Sequence, residues 1–583
     1  MALSGSAIAS LVIFFISIIF VIYPVSFPLN FALIGRKRIH INLTTAPIIA
    51  ILVLWASQCL GPRQIRDGIV GTDGVKPYNI LILFFSLAYM AITLDITGVL
   101  QAAAFWVSNK GGSNGYKLYL YFYIMLTVLS VFLGNDPVIL SGTAFLVYYT
   151  KLNPISWLMS EFAAANTASM VLFVGNPTNV VICEGFRVNN AAFTAYTILP
   201  FLACILACFI GLAIQFRKEK HIPRHLNVAG DLDVRSVLLD PIGAWVGSIL
   251  LGSCLIVIIA VSFVHVEVWK ISFPFAVAKF IYDLGWDHYR FVKRIPMLKQ
   301  AQRKRSDEDL AQVEESVVMH ELRRQHSPSG DAISSAQKIT HRVESDKRID
   351  VQVGSIDASE VETRVNTRNN TAETDKTYVE PALPTTLDLK SKAESANIVQ
   401  RFNHSYHAKK RAFAAHFPTF YTALPRLPFA LVPFAFSQFI LIEALAHQGW
   451  IQIFARWLII ASNNNSMYPT IWLVGALGVI LCNISGTNIG ATILLTKIVR
   501  AADMPEDSAR AAAIALAVAS NIGAVSFTFS ASLAGLLWRQ ILEQKGIFVK
   551  QRTFALWNAL PLALMTGVGL GVVCAEMAVL YRR

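Results

Sequence analysis

The chain has 583 residues, of which 54% are hydrophobic and only 15% charged. That is more apolar than an ordinary soluble domain at roughly 45–50%. The formal net charge of +13 would suit a nucleic-acid partner, but the basic residues cluster in loops between apolar runs, as they do in polytopic membrane proteins. The seven cysteines (Cys59, Cys183, Cys204, Cys208, Cys254, Cys482 and Cys574) form no CxxC pair or zinc-type spacing. They read as small packing residues and not as a disulfide framework or a metal centre.

Apolar runs of about 18 residues or more, long enough to cross a bilayer, recur along the chain. The first, near 7–24, lacks a basic leading region and a small-residue cleavage site, so it reads as a retained span. Full spans follow near 42–60, 78–96, 158–186, 194–216, 241–264, 267–285, 427–445, 508–542 and 554–578, ten in all. Two further stretches, 117–150 and 468–500, are interrupted near the middle by Asn and Gly. They read as re-entrant hairpins, each made of two half-helices meeting at a polar tip.

The span at 158–186 contains "SMVLFVGNPTNVVICEGF". Pro177 removes a backbone donor, Gly175 loosens the helix, and Asn176, Thr178 and Asn179 are costly in hydrocarbon. Such a break is tolerated only where it is buried in protein or lines a watery cavity.

Basic residues at Arg36, Lys37, Arg38, Lys110, Lys117, Lys151, Arg217, Lys218, Lys220 and Arg224 fall on one side of this layout. So do Lys293, Arg294, Arg303, Lys304, Arg305, Lys409, Lys410, Arg411, Lys545, Lys550 and Arg552, which marks that side as cytoplasmic. Lys497, Arg500 and Arg510 fall opposite. The polar stretch 289–417 has too little apolar content to offset its ordering entropy and reads as a largely disordered cytoplasmic loop. Within it, "KRSDEDLAQVEESVVMHELRRQ" suits a short polar helix and "QHSPSGD" a phosphorylation site, with a plain linker as the blander reading.

An internal repeat organises the rest. "SLAYMAITLDITGVLQAAAFW" matches "SQFILIEALAHQGWIQIFARW", with Ser86, Gly98, Gln101 and Trp106 opposite Ser437, Gly449, Gln452 and Trp457. Downstream, "FLGNDPVIL" corresponds to "ILCNISGTN", and "AANTASMVLFVGNPTN" to "VASNIGAVSFTFSASLA". The expected fold is an all-α polytopic protein of two repeats, each with five transmembrane helices plus one re-entrant hairpin. The odd span number inverts the second copy. The expected divisions are a first repeat at 1–217, a cytoplasmic connector at 218–240, the opening of the second repeat at 241–288, the loop at 289–417, and the remainder at 418–583.

The candidate substrate and ion site gathers at the breaks. It comprises Asn135, Asp136, Asn166, Thr167, Asn176, Thr178 and Asn179 from the first repeat. From the second come Asn483, Ser485, Thr487, Asn488, Ser520, Asn521, Ser530 and Ser532. Half-helix N-termini can receive an anion, while carbonyl ends with Asn and Thr oxygens suit a hard cation. Na⁺ is placed at Asn135, Asp136 and Asn483; the alternative is that these residues only cap broken helices or join spans. Asp136 leads the intramembrane ionisable residues, followed by Asp95, Glu443, Glu161 and Glu184.

"FLGNDPVIL", "AANTASMVLFVGNPTNVV", "PFAFSQFILIEALAHQGW" and "LAGLLWRQILEQKGI" resemble, in order, the motifs of the ion-transporter superfamily, and within it the arsenite-pump and P-protein group, with a citrate-transporter-like membrane domain. The resemblance implies inverted repeats, elevator-type alternating access, and arsenite, antimonite, carboxylates or Na⁺/H⁺ exchange as the transported chemistry. Asn166 and Asn521 stand where the bacterial arsenite pumps would carry an acidic residue, and "CNISGTN" where they would carry Asn-Asn-x-Pro. These departures bring the chain nearer the P-protein and carboxylate-transporter patterns.

The expected function is a secondary active transporter of a small anion, coupled to Na⁺ or H⁺ and using no other cofactor. No GxxxxGK[ST] or HExxH motif argues for an ATPase or a membrane-embedded metalloprotease. Alternatives are a Na⁺/H⁺ antiporter using Asp136 and a non-transporting receptor or scaffold. The expected partners are the anion and the lipid bilayer, with no nucleic acid, and a homodimer is a candidate assembly. The location is the plasma membrane or an organelle membrane.

Overall fold

The computed structural model describes residues 4–31, 35–72, 74–149, 154–224, 232–261, 266–295 and 409–581. Most of the polar loop, including its candidate helix and phosphorylation site, lies outside the described residues.

The first helix, α1 (Gly5–Ile22), is capped by Ser4, whose hydroxyl accepts from the Ala7 amide. It leads into an antiparallel hairpin of β1 (Val25–Phe31) and β2 (Gly35–Ile41), with Val25 opposite Ile41. This hairpin departs from the all-α expectation. The stretch at 42–60 is also no single span: α2 (Thr45–Ala56) has 12 residues, and Pro62 at N1 starts α3 (Pro62–Val70). Twelve residues rise about 18 Å, short of a roughly 30 Å hydrocarbon core.

Seven helices then form a series: α4 (Pro77–Ile96), α5 (Val99–Gly111), α6 (Gly115–Leu133), α7 (Asn135–Tyr149), α8 (Ile155–Ala168), α9 (Pro177–Phe186) and α10 (Asn190–Gln215). After the short α11 (Val234–Val237) come α12 (Pro241–Ala260) and α13 (Trp269–Val292), and past the loop α14 (Pro418–Ala423). A second series of seven follows in matching order: α15 (Leu431–His447), α16 (Trp450–Ala461), α17 (Met467–Ile484), α18 (Asn488–Ala501), α19 (Glu506–Ile522), α20 (Leu533–Gln544) and α21 (Gln551–Leu580). Gly98 and Gly449, aligned in sequence, cap α5 and α16 at φ of +90° and +82°. Trp106 and Trp457 both face outward.

Among the described residues nine helices are long and apolar enough to cross a membrane, and seven of them fall on the ten expected spans. The other two are α6 and α17, expected as half-helices of hairpins, whereas 158–186 is divided between the shorter α8 and α9. Besides the shortened α2, the segment expected at 267–285 also differs. As α13 it is long enough, but it buries Lys279, Asp283, Asp287 and Arg290 on one face. The chain is an integral multi-pass membrane protein.

The last helices of the two series, α10 and α21, pack together. The half-helix after each tip packs on the half-helix after the other series' break: α7 on α20, and α18 on α9. One core, with Phe434, Ile489 and Val180, lies around α15, α18 and α9; a second, with Phe162, Trp538 and Phe554, lies under the breaks.

Candidate functional site

Each series breaks twice, so four helices begin inside the protein. Their starts are Asn135 of α7, Pro177 of α9, Asn488 of α18 and Leu533 of α20. Three of these ends are closed by short polar side chains that satisfy amides left free at a helix start. Asn176 accepts from the Thr178 amide at 3.1 Å, Thr487 from Gly490 at 3.3 Å, and Ser532 from Gly535 at 3.0 Å. The tips turn on Gly134 and Gly486, at φ of +81° and +85°, where a side chain would be strained. Matching the tips by these glycines makes Asn488, which follows Gly486 and opens α18, the counterpart of Asn135. The sequence match had put Asn483 there.

The breaks meet in a closed ring. Ser169 Oγ donates to Asn521 Oδ1 at 2.9 Å, Asn521 Nδ2 to Asn179 Oδ1 at 2.8 Å, and Asn179 Nδ2 back to the Ser169 carbonyl at 2.8 Å. Asn179 also donates to the Leu172 carbonyl and Asn521 to the Ala517 carbonyl, so both N–H groups of each amide are engaged while each Oδ1 accepts one bond. They tie the two breaks together and keep no N–H free for a ligand. Beside the ring, Ser520 Oγ lies 3.4 Å from Thr178 Oγ1, and Asn488 Nδ2 donates to the Ser520 carbonyl at 3.2 Å.

At the first tip Asn135 Nδ2 donates to Asn166 Oδ1 at 3.0 Å, and Asn166 Nδ2 to the Phe162 carbonyl. Asp136 sits in the first turn of α7, half-buried, and among the described residues nothing hydrogen-bonds its carboxylate. Thr167 donates to the Met565 sulfur at 3.3 Å, away from the ring residues.

The second tip is different. Asn483 Oδ1 accepts from the Phe527 amide, the Thr528 amide and the Thr528 hydroxyl, at 3.1, 3.0 and 3.0 Å. With three donors on that oxygen, Asn483 braces the second break in this structure. Ser485 donates to the Leu481 carbonyl at 2.7 Å, and Ser530 lies 3.3 Å from Thr528 Oγ1.

The other ionisable residues are tied to neighbouring helices. Asp95 of α4 accepts from Ser141 of α7 and from Arg426 at 3.1 Å. Glu443 of α15 pairs with Lys497 of α18 at 2.7 Å and accepts from Thr72. The two acids come from different positions of matched helices, yet each reaches the half-helix that follows its own tip. Glu161 accepts from Thr143 at 2.9 Å, and Glu184 accepts from the Lys76 amide at 3.0 Å.

A family model described as "Citrate transporter" matches residues 29–319. The "Arsenical pump membrane protein" of Escherichia coli is 24% identical over 170 residues, which are 28% of this chain and 39% of that protein. The protein of the same description from Yersinia enterocolitica is 24% identical over 198 residues, 32% of this chain and 46% of that one. The chain belongs to the ion-transporter superfamily, in its arsenite-pump-like group. It matches somewhat under half the length of these relatives. A solved structure, the Alcanivorax borkumensis YdaH transporter, aligns over 99% of this chain and 98% of its own at a TM-score of 0.44 and 9% identity.

In this superfamily member, sequence reasoning passed over several residues. Ser169 closes the ring, although its sequence neighbours Asn166 and Thr167 are the expected site residues there. Asn558, fully buried in α21, donates to the Ser526 carbonyl at 3.1 Å. Nothing local to it announced a role, because its partner lies on a distant break. The buried charges of α13 were legible, since Lys279, Asp283, Asp287 and Arg290 recur at helical spacing in an otherwise apolar segment. Lys279 pairs with Asp283, which also accepts from Tyr89 at 2.9 Å. Arg290 pairs with Asp240 at 3.2 Å, and Asp287 accepts from the Thr419 amide and hydroxyl.

Proposed function

We propose that this protein is a secondary active transporter that moves a small anion across a membrane, coupled to a Na⁺ or H⁺ gradient. The anion class is a carboxylate such as citrate, or arsenite or antimonite. The observation that carries the reading is the ring of Ser169, Asn521 and Asn179, which joins the breaks of two matched helix series. Interrupted helices joined at the middle of the protein are the arrangement by which transporters bind ions at the bilayer midplane. The two series are then inverted repeats, each with one re-entrant hairpin, and transport proceeds by elevator-type alternating access.

Within the proposed site, Asn179 and Asn521 position the breaks. Asn176, Thr178, Thr487, Asn488, Ser520, Ser530 and Ser532 line the helix starts around the anion, and Asn135 and Asp136 hold the coupling cation. The loop at 289–417 and the connector at 218–240 are assigned to the cytoplasm and the divisions given above are kept. Two copies forming a homodimer is part of the same proposal.

The test is flux into liposomes carrying the purified full chain, with citrate, succinate, arsenite and sulfate, each with and without a Na⁺ or pH gradient. Gradient-dependent uptake of one anion class is the expected result. Absence of any flux would leave the receptor or scaffold reading. Na⁺/H⁺ antiport is the second reading, favoured by the unpartnered Asp136 carboxylate in the first turn of α7. Na⁺-driven proton movement without any anion would select it.

A further inference from the structure

Glu161 is fully buried in α8, and its carboxyl meets one donor, Thr143 of α7, at Oε2. Among the described residues its Oε1 has no hydrogen-bond partner. That oxygen lies against Gly142, where a Cβ would stand 2.2 Å from it, and Leu126 of α6 closes the same spot. Phe122, Val138 and Leu146 line the same small cavity as Gly142 and Leu126, and Ile139 and Phe162 belong to the same buried cluster.

The charged and titratable groups on the surrounding helices do not reach it. On α6, Tyr119 and Tyr123 bond to the Ser156 and Ile205 carbonyls, and Lys117 is exposed. On α7, Asp136 lies on the face of Thr143 but two turns nearer the tip, about 11 Å along the axis. Asp95, on the far side of α7, is held by Ser141 and Arg426. On α10 there are the thiols Cys204 and Cys208, with Cys204 bonded to the Met565 carbonyl. The charges of α19 and α20 sit at exposed positions, with Arg510 paired to Glu506 and Arg539 to Glu543.

An ionised carboxylate with one neutral donor and no cation in such a place would cost far more than its protonation. A metal ion is a poor substitute, because three oxygens, Oε1 and Oε2 of Glu161 and Oγ1 of Thr143, are too few to replace a hydration shell.

We infer that Glu161 is a proton-carrying site of the transport cycle, protonated in this conformation and able to release its proton only when α7 moves and lets water reach it. The inference rests on the transport reading above and names H⁺ as a coupling ion. Thr143 lies on the half-helix whose start bears Asn135 and Asp136, so moving that tip changes the surroundings of the Glu161 proton.

Infrared difference spectroscopy on the reconstituted full chain decides the protonation state without any substrate. Wild type should show a protonated carboxylic-acid carbonyl band that persists at neutral pH and disappears in Glu161→Gln. Gly142→Ala, which pushes on Oε1, should shift that band. In liposomes, a gradient of about one pH unit should change citrate or arsenite accumulation about tenfold per coupled proton. In Glu161→Gln this response should vanish while citrate–citrate or arsenite–arsenite exchange persists. A band unchanged in Glu161→Gln, or a wild-type response to the pH gradient in that variant, would overturn the inference. If wild type shows no flux of any anion in the liposome screen and no Na⁺-driven proton movement, the transport reading fails, and the infrared band still decides whether Glu161 holds a proton.

Discussion

The two tips share a backbone and differ in chemistry. Both turn on a left-handed glycine, Gly134 or Gly486, and both send a half-helix onto the other series. The first tip carries Asp136, whose carboxylate has no hydrogen-bond partner among the described residues, and has the buried Glu161 behind it. The second carries no acid, and its Asn483 oxygen accepts from three donors of its own break. Behind the second tip the acid Glu443 is neutralised by Lys497. The two series thus share the geometry that lets helices start inside the protein. The acid at the tip belongs to the first series alone.

The largest expected effect contrasts the two buried acids that reach the tip helices. Lys497→Met leaves Glu443 unpaired in a mostly buried position and should cost roughly 3–5 kcal/mol, read as a lowered thermal midpoint in detergent. Arg426→Met should cost less, because Arg426 is 36% exposed and Asp95 keeps Ser141. Equal losses would mean that the two contacts are equivalent after all.

Next comes the ring, where the copies are predicted to behave alike. Asn179→Ala and Asn521→Ala each strand partners of one shared network and should each cost about 1–3 kcal/mol. The double variant should lose less than the two single losses added together. If the site depends on this positioning, anion affinity should fall about 10- to 100-fold in both. Asn403→Ala should leave uptake unchanged. Normal uptake kinetics in both ring variants, at equal protein levels, would remove the ring from the centre of the mechanism.

A smaller contrast tests the matched cap glycines. Alanine is strained at both positions by about 1–2 kcal/mol. At Gly98 its Cβ would also stand 2.1 Å from the Val237 carbonyl, whereas at Gly449 nothing lies within 4 Å. Gly98→Ala should therefore be the more destabilising, and similar thermal midpoints would show that α11 yields easily.

The smallest effect lies outside the spans, where the hydrogen bond from Lys76 and then that from Lys270 hold the Glu267 carboxyl down at about 2. A depressed folded value stabilises above the ordinary carboxylate range and is lost as pH falls from about 4.5 toward 2. With Lys76 43% exposed, solvent screening limits this to under about 1 kcal/mol. Glu267→Gln should flatten that part of the stability–pH curve, and an unchanged curve would show that the cluster contributes nothing.

Apolar length and periodic interruption are local properties, so the sequence by itself determined most membrane helices, the repeat and its breaks. The aligned Gly98 and Gly449, and the Asn-Pro break at Asn176, could be recognised from the residues alone because backbone freedom and a missing donor act within one turn. Short-range pattern was less reliable where length or twist decided the outcome. The 42–60 stretch held only the 12-residue α2, ending at Ala56, and 25–41 paired as a hairpin.

Only the tertiary structure decided which polar side chains are spent on one another. Asn179 and Asn521 are 342 positions apart, and their mutual bond makes them braces. Asn483 likewise reads as a ligand in the sequence, and in the fold its oxygen accepts from 527–528. Glu161 gained its standing the opposite way, by having one partner and an orphaned oxygen. Sequence lists donors and acceptors, whereas free valence depends on which distant groups the fold brings within about 3 Å.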